Sequence, residues 1–186
     1  MNSPLVAQSW MHTFEGALPA GVLLRQRYSD RWLRIHSLPE SKRYPDSPAE
    51  YEELLNRHNT VASYALGQGS QCVLFVARFG KNQVWSNENL SSLIGGIPTH
   101  AFASEDPDEP MQFFALQVTW RRTAFDSLIR AVADDQTGPI LFANTAAQSI
   151  YAPYDGGADL FFPSLAAAGA AGVQFRSWLS AREDGL

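Results

Sequence analysis

PILFANTAAQSIYAPYDGGADLFFP, residues 139–163, holds three short apolar runs, 139–144, 149–154 and 158–163, that follow one another with no helix between them. Asp155-Gly156-Gly157 is a turn signal, with glycine expected to supply positive φ, so its first meaning is a hairpin. Strands that succeed one another without a helix after each argue against a doubly wound parallel sheet and for antiparallel pairing.

Working outward, residues 71–79 pack Val73, Leu74, Phe75, Val76 and Ala77 into one run bounded by glycines, the pattern of a buried central strand. Residues 111–120 form a strand rich in aromatic and branched side chains, and Thr123-Ala124-Phe125-Asp126 opens a helix that ends near Asp135. Ser47-Pro48-Ala49-Glu50 carries a capping serine, a first-position proline and a glutamate three residues on, which starts a helix at Pro48 that Gly67 ends. A helix is expected over 3–18, with Ser3 as cap and Val6, Trp10 and Phe14 on its apolar stripe. Residues 22–28 and 31–38 alternate as a hairpin turned at Ser29-Asp30. Residues 80–110 read as loops with one short strand near 100–103, and 164–182 as a final helix.

The result is an α+β fold, a mainly antiparallel sheet covered by helices on one side, in a single domain over residues 1–186. Phe75, Phe114, Trp120, Leu128 and Trp178 are expected in one core.

The charge balance, 14 Lys+Arg against 19 Asp+Glu, gives a net charge of −5, the wrong sign for a nucleic-acid partner. Cys72 stands alone, so neither an internal disulfide nor a thiolate zinc cluster is available, which fits a reducing cytoplasm. The apolar runs are too short to cross a membrane, and no export segment is visible. Zinc-protease, phosphate-loop, nucleophile-elbow and dinucleotide signatures are all missing, so no cofactor is implied. His12, His36, His58 and His100 lie in four separate elements, so no metal site is expected.

Two segments gather chemistry nonetheless. Arg34-Ile35-His36-Ser37-Leu38-Pro39-Glu40-Ser41-Lys42-Arg43-Tyr44-Pro45 collects cations, hydroxyls and a histidine, the groups that hold a carboxylate or phosphate. Its plain reading is a solvated loop stiffened by prolines. Tyr154-Asp155-Gly156-Gly157-Ala158-Asp159 places two carboxylates across a turn, suited to acid–base work only if further groups converge; its plain reading is a hairpin. His58 falls on the apolar stripe of the helix from Pro48, where a buried histidine bonded through both ring nitrogens is the default, while Arg57 and Asn59 beside it suit a cleft. The candidate ligand-binding residues are therefore Arg34, His36, Ser37, Lys42, Arg43, Arg57, His58, Tyr154, Asp155 and Asp159.

The segments His36-Ser37-Leu38-Pro39, Ser41-Lys42-Arg43-Tyr44-Pro45, Arg57-His58-Asn59 and Tyr154-Asp155-Gly156-Gly157-Ala158-Asp159, with the tail Trp178-Leu179-Ser180 and Asp184-Gly185-Leu186, resemble a family of bacterial proteins, a domain of unknown function. The resemblance implies bacterial origin and points to the basic loop and the acidic turn; it brings no reaction, cofactor or ligand.

Two functions are compatible with these residues, and they leave open whether the chain is an enzyme. One is a cytoplasmic, non-catalytic partner-binding protein of the immunity type, with the acidic loop Glu105-Asp106-Pro107-Asp108-Glu109 docking on a basic partner. The other is a binder of, or enzyme acting on, a small anionic substrate, held by Arg34, Lys42 and Arg43, with His36 or His58 carrying the proton and Asp155 or Asp159 orienting it. If the two segments serve one purpose, Arg34, His36 or Arg43 must come within salt-bridge reach of Asp155 or Asp159.

Overall fold

In the computed structural model, which describes residues 3–79, 87–104 and 110–180, seven strands form one sheet, and every pairing is antiparallel. The elements run α1 (Ser3–Thr13), α2 (Gly21–Arg27), β1 (Trp32–His36), α3 (Pro48–Leu66), β2 (Gln71–Phe79), α4 (Asn87–Ile94), β3 (Thr99–Ala103), β4 (Met111–Thr119), α5 (Asp126–Ala133), β5 (Ile140–Asn144), β6 (Ser149–Tyr154), β7 (Gly157–Phe161) and α6 (Leu165–Gln174). Across the sheet the order is β1-β7-β6-β5-β2-β4-β3. The α+β architecture and the three-strand meander over 139–163 are as the sequence predicts.

Helices cover both faces of the sheet, not one. Leu74, Val76, Phe142 and Tyr151 turn toward α3, α5 and α6, while their neighbours Val73, Phe75, Leu141 and Ile150 turn toward Val6 and Trp10 of α1, Phe14 just beyond it, and Leu24 of α2. Period-two alternation within each strand therefore feeds two apolar layers, which is why β5 and β7 are buried at every position. The five large residues expected in one core are divided accordingly. Phe75 meets the Trp10 ring at 4.8 Å on the α1 side, Trp120 and Leu128 lie on the α3 side with Trp178 packed at its margin, and Phe114 is half-buried.

Local patterns were overruled where tertiary contacts are long-range. Residues 22–27 are helical, burying Leu24 and leaving Arg25 and Arg27 outward, and β1 pairs with β7, more than a hundred residues away, instead of closing a hairpin. The first helix stops at Thr13, and Glu15 and Gly16, both at positive φ, turn the chain back so that the Trp10 indole donates to the Ala17 carbonyl. Leu90 and Ile94 give α4 an apolar edge inside the stretch read as loop. The last helix ends at Gln174, where Phe175 leaves helical geometry and stacks on Trp178; Leu179 then bridges Ile35 and covers the edge strand β1. The acidic loop 105–109 and the tail 184–186 lie outside the described residues.

Ser47 caps α3 as expected, its Oγ accepting from the Glu50 N–H at 3.3 Å. The reciprocal bond is displaced by one residue: the Glu50 carboxylate accepts from the backbone N–H of Asp46, at 2.6 Å, and not from that of Ser47.

Candidate functional site

On β1, Leu33 and Ile35 face the α3 layer, so Trp32 and Arg34 face the opposite side. Antiparallel register sets Asp159 of β7 directly across from Arg34. The guanidinium Nε and Nη2 donate to the two Asp159 oxygens at 2.9 and 3.0 Å, and the Trp32 indole adds a third donor at 2.9 Å. With side-chain exposures of 16% and 6%, Arg34 and Asp159 form a nearly dry bidentate pair. Burial works against the Arg34 charge, but the Asp159 bonds outweigh it and its pKa is raised. The Tyr154 ring lies 4.6 Å from the Arg34 guanidinium carbon, and burial pushes its phenol up to about 12.

The Asp155-Gly156-Gly157 turn needs its glycines for space, not for positive φ, which neither of them adopts. A β-carbon on Gly157 would overlap the Ile35 carbonyl oxygen and crowd the Tyr154 hydroxyl; one on Gly156 would press on the Tyr154 ring and the Arg43 stem. Both glycines thus let the turn lie against β1 and the segment that follows it.

That following segment is tied down residue by residue. The Ser37 N–H donates to the Gly156 carbonyl. Glu40 and Ser41 both occupy the left-handed region, at φ 55° and 57°. Lys42 then lies between Asp46, at 2.8 Å, and Glu50, at 2.7 Å. The Asp46 N–H and the Lys42 ammonium hold the Glu50 pKa below the usual carboxylate range. Arg43 reaches Asp155 at 2.6 Å, and the Tyr44 hydroxyl donates to the same oxygen at 3.0 Å.

Beneath this loop the Ser37 hydroxyl meets His58 Nε2 at 2.8 Å, and the Tyr151 hydroxyl meets His58 Nδ1 at 2.7 Å. All three residues are buried. Burial, assisted by the neighbouring Arg57 charge, lowers the His58 pKa to about 3 and keeps the imidazole neutral. Arg57 is buried too: it donates to Glu53 at 2.6 Å and to the His36 carbonyl at 3.2 Å, and lies over the Trp178 ring. Asn59 accepts from the Thr123 N–H and donates to Asp126, holding the entrance of α5.

The ten sequence candidates thus divide into groups. Arg34, Arg43, Tyr154, Asp155 and Asp159 come together around a cleft of about 370 Å³. Lys42 belongs to a separate hollow beside Pro39, Glu50 and Glu53. Ser37, Arg57 and His58 are interior. His36 is half-buried, its Nε2 is enclosed without a hydrogen-bond partner among the described residues, and burial, with Arg34 and Arg57 adding, lowers its pKa. The basic loop and the acidic turn do meet, through the Arg34–Asp159 and Arg43–Asp155 pairs. Sequence reasoning missed the opposite wall: Val22 on α2, and Asp135 and Thr137 between α5 and β5. No spacing signal marks them, because the chain folds them against β6 from two remote connections. The Thr137 hydroxyl is buried and bonded to nothing among the described residues.

Among the described residues no cluster of three or more His, Cys, Asp or Glu is arranged to hold a metal ion, and no helix is long and apolar enough to cross a membrane. Cys72 is buried, which pushes its thiol up to about 11.

A family model for a domain of unknown function, DUF3885, matches residues 21–183, and the chain belongs to that family. The match begins at the first residue of α2 and leaves α1 outside. No curated protein and no solved structure matches the chain.

Proposed function

We propose that this member of the DUF3885 family is a cytoplasmic, non-catalytic binding protein of the immunity type, whose partner is a basic protein. One observation carries this reading: Arg34, Lys42, Arg43 and Arg57 each have a carboxylate oxygen within 2.9 Å. An anionic substrate would have to displace a carboxylate already in place at every one of them, so the charge left to act outward is negative. The net charge of −5 supports the same direction. The His58 imidazole is enclosed between two buried hydroxyls and is in no position to carry a proton to a ligand.

The alternative, a small anionic ligand held through the 34–43 segment, draws support from Arg43 alone, whose side chain is 62% exposed and could swing away from Asp155. Affinity purification of the tagged chain from its own host cells, at roughly 50 and 500 mM salt, decides between them. The expected result is one stoichiometric basic protein retained at low salt and shed at high salt. A chain that elutes alone under both conditions, and whose binding of a small carboxylate or phosphate is abolished by Arg43→Ala, would establish the alternative instead.

A further inference from the structure

The cleft between the first turn of α2, the α5–β5 connection and the end of β6 is chemically two-sided. Val22, Ile140 and Pro153 give it an apolar wall, and Val22 is one of the exposed large apolar residues of the chain. Its polar side holds three carboxylates, Asp135, Asp155 and Asp159, against two guanidinium groups, those of Arg34 and Arg43. Both guanidinium groups are already spent on Asp159 and Asp155, at 2.9 and 2.6 Å. The Asp135 carboxylate makes no hydrogen bond or ion pair among the described residues, its charge acting only on the nearby Tyr44 hydroxyl, and its φ of 53° holds it in the left-handed region on the rim. The Thr137 hydroxyl, enclosed behind the same wall without a hydrogen-bond partner among the described residues, presents no surface to the cleft. An apolar wall beside one unspent carboxylate on the rim, with no unspent cation among the described lining residues, matches an aliphatic stem carrying a positive head. At about 370 Å³ the cleft lies at the small end of the usual range for ligand pockets, roughly 300–1,000 Å³, and suits one long side chain.

We propose that this cleft receives a single lysine or arginine side chain of the protein partner, its methylenes against Val22, Ile140 and Pro153 and its cationic head at Asp135. The proposal rests on the partner-binding reading above and names the anchor that reading lacks. The Arg43 charge at the rim does not repel the incoming head, because Asp155 neutralises it at contact distance.

The test is an amide proton–nitrogen correlation titration of the full chain with N-acetyl-arginine N-methylamide, beside N-acetyl-glutamate N-methylamide as the anionic control. Saturable shifts are expected at Val22, across 135–138 and at Tyr154, with a dissociation constant on the order of millimolar, and none with the glutamate compound. Asp135→Asn keeps a residue type that tolerates the left-handed backbone and removes only the charge, so it should weaken binding about threefold or more while the rest of the spectrum stays in place. Absence of saturable shifts, equal shifts with the glutamate compound, or unchanged affinity in Asp135→Asn would overturn the proposal. The two readings fail separately: arginine binding in the cleft with no basic partner recovered from cells defeats only the partner reading, and a basic partner retained undiminished by Asp135→Asn defeats only the anchor.

Discussion

Replacing His58 by leucine should cost far more than the loss of one ring, because two hydroxyls depend on it. The imidazole satisfies Ser37 at 2.8 Å and Tyr151 at 2.7 Å, and none of the three residues is more than 1% exposed, so no water replaces it. Each buried hydroxyl left unpaired costs about 1–3 kcal/mol, and the single variant should therefore lose about 4 kcal/mol. The triple variant Ser37→Ala, His58→Leu, Tyr151→Phe removes the hydroxyls along with their partner and should recover at least half of that loss.

Acid separates the same proteins a second way. The folded chain holds His58 neutral down to about pH 3, whereas the unfolded chain protonates it near 6.5, so the unfolded state binds the extra proton. The contribution of His58 is thus complete above pH 6.5 and falls away as pH drops toward 3, at about 1.4 kcal/mol per pH unit. At pH 4.5 the native protein should have lost about 3 kcal/mol that the triple variant keeps. Carboxylates and His36 titrate in both proteins and cancel in the difference. Urea unfolding followed by tryptophan fluorescence at pH 7 and pH 4.5 measures it. Equal acid losses in the two proteins, or a single variant no weaker than the triple, would refute the sealed Ser37–His58–Tyr151 network.

Asp159→Ala should destabilise by about 3 kcal/mol, at the low end for a broken buried pair because Arg34 retains some exposure, and chemical denaturation reads it directly. Thr137→Val should raise stability slightly, by up to about 1 kcal/mol, seen as a higher melting temperature, since its hydroxyl is buried without a partner among the described residues. Ser47→Ala should cost about 1 kcal/mol in a thermal melt, through loss of the bond to the Glu50 N–H. Glu40→Gly should gain about 1 kcal/mol in urea unfolding by relieving a left-handed residue that makes no side-chain bond among the described residues; a loss would show that its side chain contributes something unseen.

Elements whose signals are local were legible. The Ser47 cap and the apolar run of β2 carry their own boundaries, and the meander over β5, β6 and β7 needs only short-range turns. What failed depended on distant partners. Residues 22–28 alternate as a strand would, yet residues 21–27 form a helix that buries only Leu24 and lays Arg27 against Glu15, too weak an apolar stripe to mark itself in the sequence. The two-layer division of the core was hidden because a fully buried strand shows a continuous apolar run, and such a run does not say which side chains share a face. The far wall of the cleft was hidden for a related reason: Val22, Asp135 and Thr137 approach β6 from two different connections, and their individual residue types are ordinary.

The segment His36-Ser37-Leu38-Pro39-Glu40-Ser41-Lys42-Arg43 stood out in the sequence for its chemistry, and the structure explains that density first as mechanics. Two consecutive non-glycine residues in the left-handed region cost about 1–2 kcal/mol each and persist only where their flanks are over-determined. Here the flanks are Ser37, bonded to Gly156 and His58, and Lys42 and Arg43, ion-paired to Glu50 and Asp155. Those bonds join β1 to α3 and to the β6–β7 turn, so the basic residues are consumed in closing the loop. The same closure swings Arg43 onto Asp155 and completes one wall of the cleft. A cation-rich loop therefore builds a site whose unspent charge is negative, and that inversion becomes visible only when each cation is followed to its partner.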